Sequence, residues 1–276
     1  MNIITISRGS LSATELLSKK VSEKLNCPVV TREDVIKAAE KYGIKETGLG
    51  ELSFIEKSPT IWDKMRDRKK HYLSCFQTAL LDFAMNGSII YHGHLAQFLF
   101  TKVSFVLSVL LTAPEEYRVK TLMEEGGKSK EDVKSYIKLI DERRQKWSQF
   151  LYGVNWKEPT HYDIVLNLEK INIDLAAKLL IDTASNEDFQ SNEKNILALK
   201  NLHLTARANV YLQQSPRTRG SEVEIEADAE KGSLVVSGNC PKVGARMWEN
   251  DIKTVLSKVE GVKSIKVIKS IVGYYE

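Results

Sequence analysis

Cysteine is scarce in this chain. Cys27, Cys75 and Cys240 are the only three in 276 residues, and no two stand at a C-x-x-C spacing. That usage excludes a disulfide framework and a thiolate metal site, and reads as reduced thiols. A dominant charge is missing too, since 40 Lys and Arg against 36 Asp and Glu leave a net +4. So small an excess gives no footprint for nucleic acid, which is not expected as a partner, but it suits a small anionic ligand. Long apolar runs are also absent. The longest, FVLSVLLTA, falls far short of the roughly 20 residues a membrane helix needs. No basic and then apolar leader opens the chain, so no signal peptide is expected, and a cytoplasmic location is. No internal repeat or low-complexity tract is found.

What is present is ordinary globular composition, 42% hydrophobic and 28% charged, in a chain long enough for one large domain or two. Short apolar runs recur at NIITIS (2–7), PVV (28–30), SIIYHG (88–93), SFVLSVLLTA (104–113) and YDIVLNL (162–168). Their hydrophobicity is continuous rather than alternating, as in strands buried on both faces of a parallel sheet. Amphipathic helical patterns separate them, giving a βαβ grammar. Ser129 and Asp132 form a capping box that opens a helix through Phe150. The stretch SNEDFQSNEKN (185–195) is polar and aperiodic, and reads as a linker. Beyond it the pattern changes. ILALKNLHLTARANVYL reads as a helix, EVEIEAD and GSLVVSGN as a hairpin, MWENDIKTVLSKV as a second helix and VKSIKVIK as a last strand. The expectation is an α/β domain over 1–184, a linker over 185–195 and a small α+β (αββαβ) domain over 196–276.

Between the first strand and the first helix lies GSLSATEL (9–16), where phosphate-binding proteins place an anion cradle. An intact loop reads G-x-x-x-x-G-K-[ST], with glycines that let backbone N–H groups close on phosphates and a lysine that reaches the outer ones. Counted from Gly9, Thr14 takes the second glycine, Glu15 the lysine and Leu16 the metal-binding hydroxyl. A carboxylate in place of the lysine adds a repulsion of roughly 4 kcal/mol at about 4 Å and an effective dielectric near ~20. A local account fits these residues better. Ser12 and Glu15 make an S-x-x-E capping box, Leu11 and Leu16 a hydrophobic staple, and Glu15 satisfies the N–H groups a phosphate would otherwise use.

With ITISRGS, EKLNCPVVTRED, IIYHGHLAQ, APEEYRVKTLME and above all KLIDERRQKWSQFLYGVNWKEPTHYDIVLNLEK, residues 1–184 resemble the cytidylate kinase-like proteins of the P-loop nucleoside-monophosphate kinase fold. The YG-x-x-W-x-x-P-x-x-YD-x-V-x-N spacing is the most specific match. The C-terminal unit is similar to a BON domain, through VVSGN, VEGVKSIKVI and the element order. The resemblance implies a five-stranded parallel sheet flanked by helices, ATP bound after the first strand, a monophosphate-binding insert over about 45–86 and a lid carrying arginines between Arg118 and Lys146. It also implies ATP and Mg2+ as cofactors if the protein is active.

On that resemblance Arg143 and Arg144 become the lid phosphate contacts, since guanidinium forks suit phosphate oxygens. Taken by spacing, the same pair is a solvated helix face beside Asp141 and Glu142. Arg118 reads either as a third lid arginine or as a helix-surface partner of neighbouring glutamates. These three are the catalytic candidates. The nucleotide- or phosphate-binding candidates are Arg8, Gly9, Ser10, Ser12 and Thr14 of the loop, with Arg32, Gly93, His94, Lys146 and Asp163. Asp163 is equally a strand cap. His94 stands where related kinases carry an arginine and is expected to be a weaker, pH-dependent phosphate contact. With His92 it makes a same-side pair without a third ligand, so no metal is expected. Trp147 and Trp156 are read as packing residues at the lid base. The basic run DKMRDRKKHY (63–72) is read as a solvated helix face that an anion could reach. Two functions follow. One is an ATP-dependent nucleoside-monophosphate kinase. The other is an inactive kinase fold that binds a nucleotide or anion, with the BON-like unit docking to a protein partner or an anionic membrane surface.

Overall fold

The computed structural model describes residues 1–8, 13–44, 66–100, 102–126, 129–241 and 244–272. All five apolar runs form strands: β1 (Ile3–Arg8), β2 (Val29–Thr31), β3 (Ile89–His92), β4 (Val106–Thr112) and β5 (Ile164–Asn167). They pair in parallel in the order β2-β3-β1-β4-β5. Burial on both faces explains the unbroken apolar runs, since Ile3, Ile4 and Ile6 are all dehydrated and even Thr5 and Ser7 are 1% exposed. All carboxyl ends of such a sheet lie along one edge, which is where ligands of open α/β sheets bind.

Helices α1 (Ala13–Leu25) and α6 (Ile173–Ala184) cover one face, with Leu17, Val21, Ala176 and Leu180 packing on Ile4, Ile6, Val109 and Leu166. Helix α2 (Arg32–Ala39) follows β2 directly, and its start is capped reciprocally by Thr31 and Asp34, with Thr31 Oγ1 to Asp34 at 2.7 Å. Helices α4 (Glu115–Gly126) and α5 (Lys130–Tyr152) follow β4. The Ser129 cap forms as expected, its Oγ accepting from the Asp132 N–H at 3.1 Å. The five strands, α1, α4, α5 and α6 belong to a first compact unit over 1–34 and 86–192.

The second unit holds residues 35–44, 66–85 and 193–272. It contains α3 (Arg66–Met85), α7 (Glu193–Gln214), β6 (Val223–Asp228), β7 (Ser233–Pro241), α8 (Ala245–Leu256) and β8 (Ser264–Val272). The hairpin read from the period-two alternation forms, β6 antiparallel to β7, and β8 adds in parallel on the far side of β7. Leu204, Leu212, Leu234, Val236, Ile252 and Leu256 fill the core between sheet and helices. Helix α7 begins at Glu193, inside the polar stretch read as a linker.

Helix α3 packs along α7. The sequence places α3 within the substrate insert, and its neighbour here is the first helix of the C-terminal segment. One carboxylate anchors the contact. Asp82 of α3 accepts from His203 of α7 at 2.8 Å and from the Tyr42 hydroxyl at 2.7 Å, and pairs with Lys41 at 2.9 Å. Burial would push the Asp82 carboxyl up, but these three partners outweigh it and bring it down to about 2. A lowered folded value means that the contribution is complete above the ordinary carboxylate range and is lost as pH falls toward 2. Asp82→Ala is therefore expected to lower stability by about 2 kcal/mol in urea unfolding at pH 7. The gap from the unmutated protein should narrow as pH falls below about 4 and be nearly closed at about pH 2.

Candidate functional site

The carboxyl edge of the parallel sheet gathers most of the residues singled out in the sequence. Of the first loop, Gly9, Ser10, Leu11 and Ser12 lie outside the described residues, as does the Arg8 side chain. The capping box and staple built on Ser12 and Leu11 therefore lie there as well. Helix α1 begins at Ala13, so the positions equivalent to glycine, lysine and hydroxyl fall in its first turn. Thr14 is fully buried and its Oγ1 meets no partner among the described residues, whereas Glu15 is exposed and Leu16 is 51% exposed.

The turn after β3 is held close to the sheet. The Gly93 N–H donates to the Ile6 carbonyl at 3.1 Å, and a Cβ at this position would run into the buried Tyr91 ring, so only glycine fits. Leu95, two residues on, is held in the left-handed region at φ 67°, a strained conformation for a branched side chain. Beneath the turn, Ser7 of β1 donates to Gln97 Oε1 at 3.3 Å, and the Tyr162 hydroxyl donates to the Trp156 carbonyl at 2.6 Å. Burial pushes the Tyr162 phenol up, against the smaller opposing effect of Ser7 and Gln97.

His94 packs edge-on against Trp156 with ring centres 5.2 Å apart, and its Nε2 faces the Arg144 carbonyl at 3.4 Å. Dehydration of the ring and then the Arg144 guanidinium push the imidazole down to about 3, with the Arg144 carbonyl and then Asp141 acting in the other direction. Near neutral pH the His94 ring is therefore uncharged.

The lid-side cluster centres on a residue that the sequence shows only as a neighbour of the paired arginines. Asp141 of α5 receives both Arg118 nitrogens of α4, each at 2.9 Å, and Lys157 at 2.8 Å. Arg118 is 7% exposed, and Asp141 stands 23 positions away from it in the chain. Burial would raise the Asp141 carboxyl, but the hydrogen bonds from Arg118 and Lys157 outweigh it and hold the group below its ordinary value. Lys157 also lies 5.3 Å from the Trp156 ring centre, and Arg144 stands 5.9 Å from the same ring. Trp147 and Trp156 are buried, as expected of packing residues. A cleft of about 440 Å³ opens here, lined by Thr112, Ala113, Arg118, Asp141, Trp156 and Lys157 among others.

The remaining candidates separate. Arg32 opens α2 at the carboxyl end of β2, partly buried. Arg143 is partly buried and Lys146 exposed on α5, beyond Arg144. Asp163 is placed elsewhere. Its carboxylate accepts from the Ser108 N–H at 2.8 Å, and its own N–H donates to the Ser108 carbonyl at 2.8 Å, at the amino end of β5. That is the strand-cap reading, at the end of β5 opposite the ligand edge. Asp141 and Lys157 were not legible as a pair, because side chains 16 and 23 positions apart follow no helical or strand period. The only sequence signal was Asp141 standing before the paired arginines and Lys157 inside the Trp-to-Pro motif.

Counted from Gly9, an exposed carboxylate, Glu15, and an exposed leucine, Leu16, stand in the first turn of α1 at the positions where the Walker pattern has a lysine and a metal-binding hydroxyl.

A five-stranded parallel sheet with a loop-to-helix turn after β1 and a helical pair after β4 defines an α/β protein of the P-loop kinase type. Residues 3–170 match the cytidylate kinase-like family, and the chain belongs to it. A cytidylate kinase from Methanococcus aeolicus is 28% identical over 179 residues, which span 62% of this chain and 91% of that protein. One from Pyrobaculum islandicum is 24% identical over 183 residues, 66% of this chain and 92% of its own. Among solved structures, an uncharacterised protein from Eubacterium ventriosum superposes with a TM-score of 0.50 at 19% identity, covering 66% of this chain and 98% of that one.

Two outcomes follow from the site. Asp141→Asn removes the carboxylate charge that Arg118 and Lys157 share and should cost about 3 kcal/mol in denaturant unfolding at pH 7. For His94, the unfolded ring binds a proton near its ordinary pKa of about 6.5, while the folded ring does not until about 3. Its contribution is thus present above about 6.5 and is lost as pH falls. Stability should decline between pH 6.5 and 4.5 by at most about 1.4 kcal/mol per unit, and His94→Asn should flatten that decline.

Proposed function

We propose that this protein keeps the ligand-binding frame of a cytidylate kinase-like fold and binds a nucleotide or similar small anion, while transferring phosphoryl groups from ATP weakly or not at all. The observation that carries this reading is the first turn of α1, where Glu15 and Leu16 face solvent at the positions of the phosphate-binding lysine and the metal-binding hydroxyl. A helix N-terminus favours an anion from outside, and a carboxylate in its first turn competes for the same N–H groups and field.

The lid supports the same reading. Transfer depends on arginines that close around the moving phosphoryl group. Arg118 is engaged by Asp141, and Arg143, Arg144, Arg32 and Lys146 are the candidate cations for a bound anion. Gly9, Ser10, Ser12 and Thr14 remain the loop contribution. The archaeal relatives named cytidylate kinases make a pyrimidine nucleotide the first ligand to try. The αββαβ order of the C-terminal segment supports a BON-like unit there, a place for a protein or anionic-membrane partner. Among the described residues no helix is long and apolar enough to cross a membrane. A cytoplasmic location is part of the same proposal.

Calorimetric titration tests the loop. The expected outcome is measurable CMP binding together with weak ATP binding that magnesium does not strengthen. Replacing Thr14 by Gly and Glu15 by Lys together should raise ATP affinity about 10-fold or more, by exchanging a repulsive charge for an attractive one. Tight magnesium-dependent ATP binding by the unaltered protein would overturn the proposal.

A further inference from the structure

The small sheet of the second unit ends in two edges of opposite charge. Its order is β6-β7-β8, and among the described residues neither β6 nor β8 pairs with any strand but β7. Strand alternation sets the two faces. Val223, Ile225, Ala227, Ile265 and Val267 pack on the core, which turns Glu224, Glu226, Lys266 and Ile268 to the outer face, where all four are exposed. Acids occupy every second position from Glu222 to Glu230, so the outer face of β6 is acidic along its length. On the other edge the chain carries Lys263, Lys266 and Lys269 and no acid between 261 and 272. Lys269 lies on the inner face and is taken up by Glu249 at 2.6 Å, whereas Lys263 and Lys266 are exposed.

An edge strand presents a row of N–H and C=O groups to any further strand, and lysine on such an edge ordinarily keeps one away. Here the charges discriminate. Two β8 edges side by side set lysine against lysine, and two β6 edges set acid against acid, both unfavourable between facing strands. An acidic β6 beside a basic β8 meets no such repulsion. Strand direction agrees with charge. Because β6 is antiparallel to β7 and β8 is parallel to it, a copy displaced sideways in the plane of the sheet lays its β6 antiparallel to β8. The row Glu226–Val235–Lys266 then continues with Glu226 of the second copy opposite Lys266, and its Glu224 and Asp228 fall on the diagonals. In that register the outer faces of the two sheets coincide.

We propose that this sheet is an interaction surface whose partner is a second copy of the same chain, with β6 of one copy paired to β8 of the next. Such an interface is head to tail and not two-fold, so each added copy leaves one β6 and one β8 unpaired and assemblies grow past a dimer. The proposal is independent of the nucleotide-binding reading and stands if that reading fails.

Sedimentation velocity of the full-length protein over roughly a 100-fold range of concentration tests it. At about 0.05 M salt the sedimentation coefficient should rise with concentration beyond that of a dimer, and about 1 M salt should weaken association about 10-fold or more. Two double variants carry the decisive comparison, Glu224→Lys with Glu226→Lys, and Lys263→Glu with Lys266→Glu. The first has two basic edges and the second two acidic ones, so each alone should sediment as a monomer throughout. Mixed in equal amounts they should associate again, since every basic edge then meets an acidic one, and misfolded variants would not recover in this way. In the assembled protein the β6 and β8 amides should exchange with solvent more slowly than in the dilute protein. A monomer at every concentration, or growth that stops at a dimer, would overturn the proposal. So would association that neither variant weakens, a mixture that stays monomeric, or assembly that leaves the β6 and β8 amides unprotected.

Discussion

One carboxylate balancing two cations holds the lid side of this protein in place. Asp141 takes a two-point contact from Arg118 on α4 and a third from Lys157 beside Trp156, so a single side chain joins two helices to the wall of the cleft. Arg118 and Asp141 are dehydrated enough that either alone would be costly, whereas half-exposed Lys157 adds less. Trp156 then collects what the ion pairs bring near it. Lys157 and Arg144 lie over or beside its ring, and His94 meets it edge-on. Burial of the imidazole, and after it the Arg144 guanidinium, keep the ring neutral.

The phosphate side of the same sheet edge is built differently. A kinase loop draws its hold on phosphate from glycines, a lysine and the field of the following helix. Here the helix survives, and its first turn shows an acid and a leucine to solvent. The scaffold that positions such a loop is intact, from the parallel strands to the close turn at Gly93. A kept frame with Glu15 and Leu16 at the positions of the lysine and hydroxyl is the pattern from which the proposed function is argued.

Local rules make much of this fold legible in the amino-acid sequence. Buried parallel strands must be apolar on both faces, so the five runs stand out, and the Ser129 cap and the β6–β7 hairpin follow from equally short-range patterns. The Walker positions can be counted off from Gly9. What the sequence does not show are contacts made by the fold. The reach of Arg118 to Asp141, the neutral state of His94 and the docking of α3 on α7 through Asp82 all depend on segments far apart in the chain. Asp163 is the instructive case. Its sequence context suits either a nucleotide contact or a cap, and only the direction of β5 puts it at the end of that strand away from the ligand edge.

The central claim is that the ligand frame persists without an effective grip on the phosphates of ATP. The most direct measurement is a single-turnover assay with protein in excess over γ-labelled ATP, magnesium and saturating CMP, read as labelled CDP. The account predicts no labelled CDP above the protein-free control over hours. Complete transfer within seconds would contradict it, and would mean that the loop after β1 reaches phosphate by a route that needs no lysine at position 15.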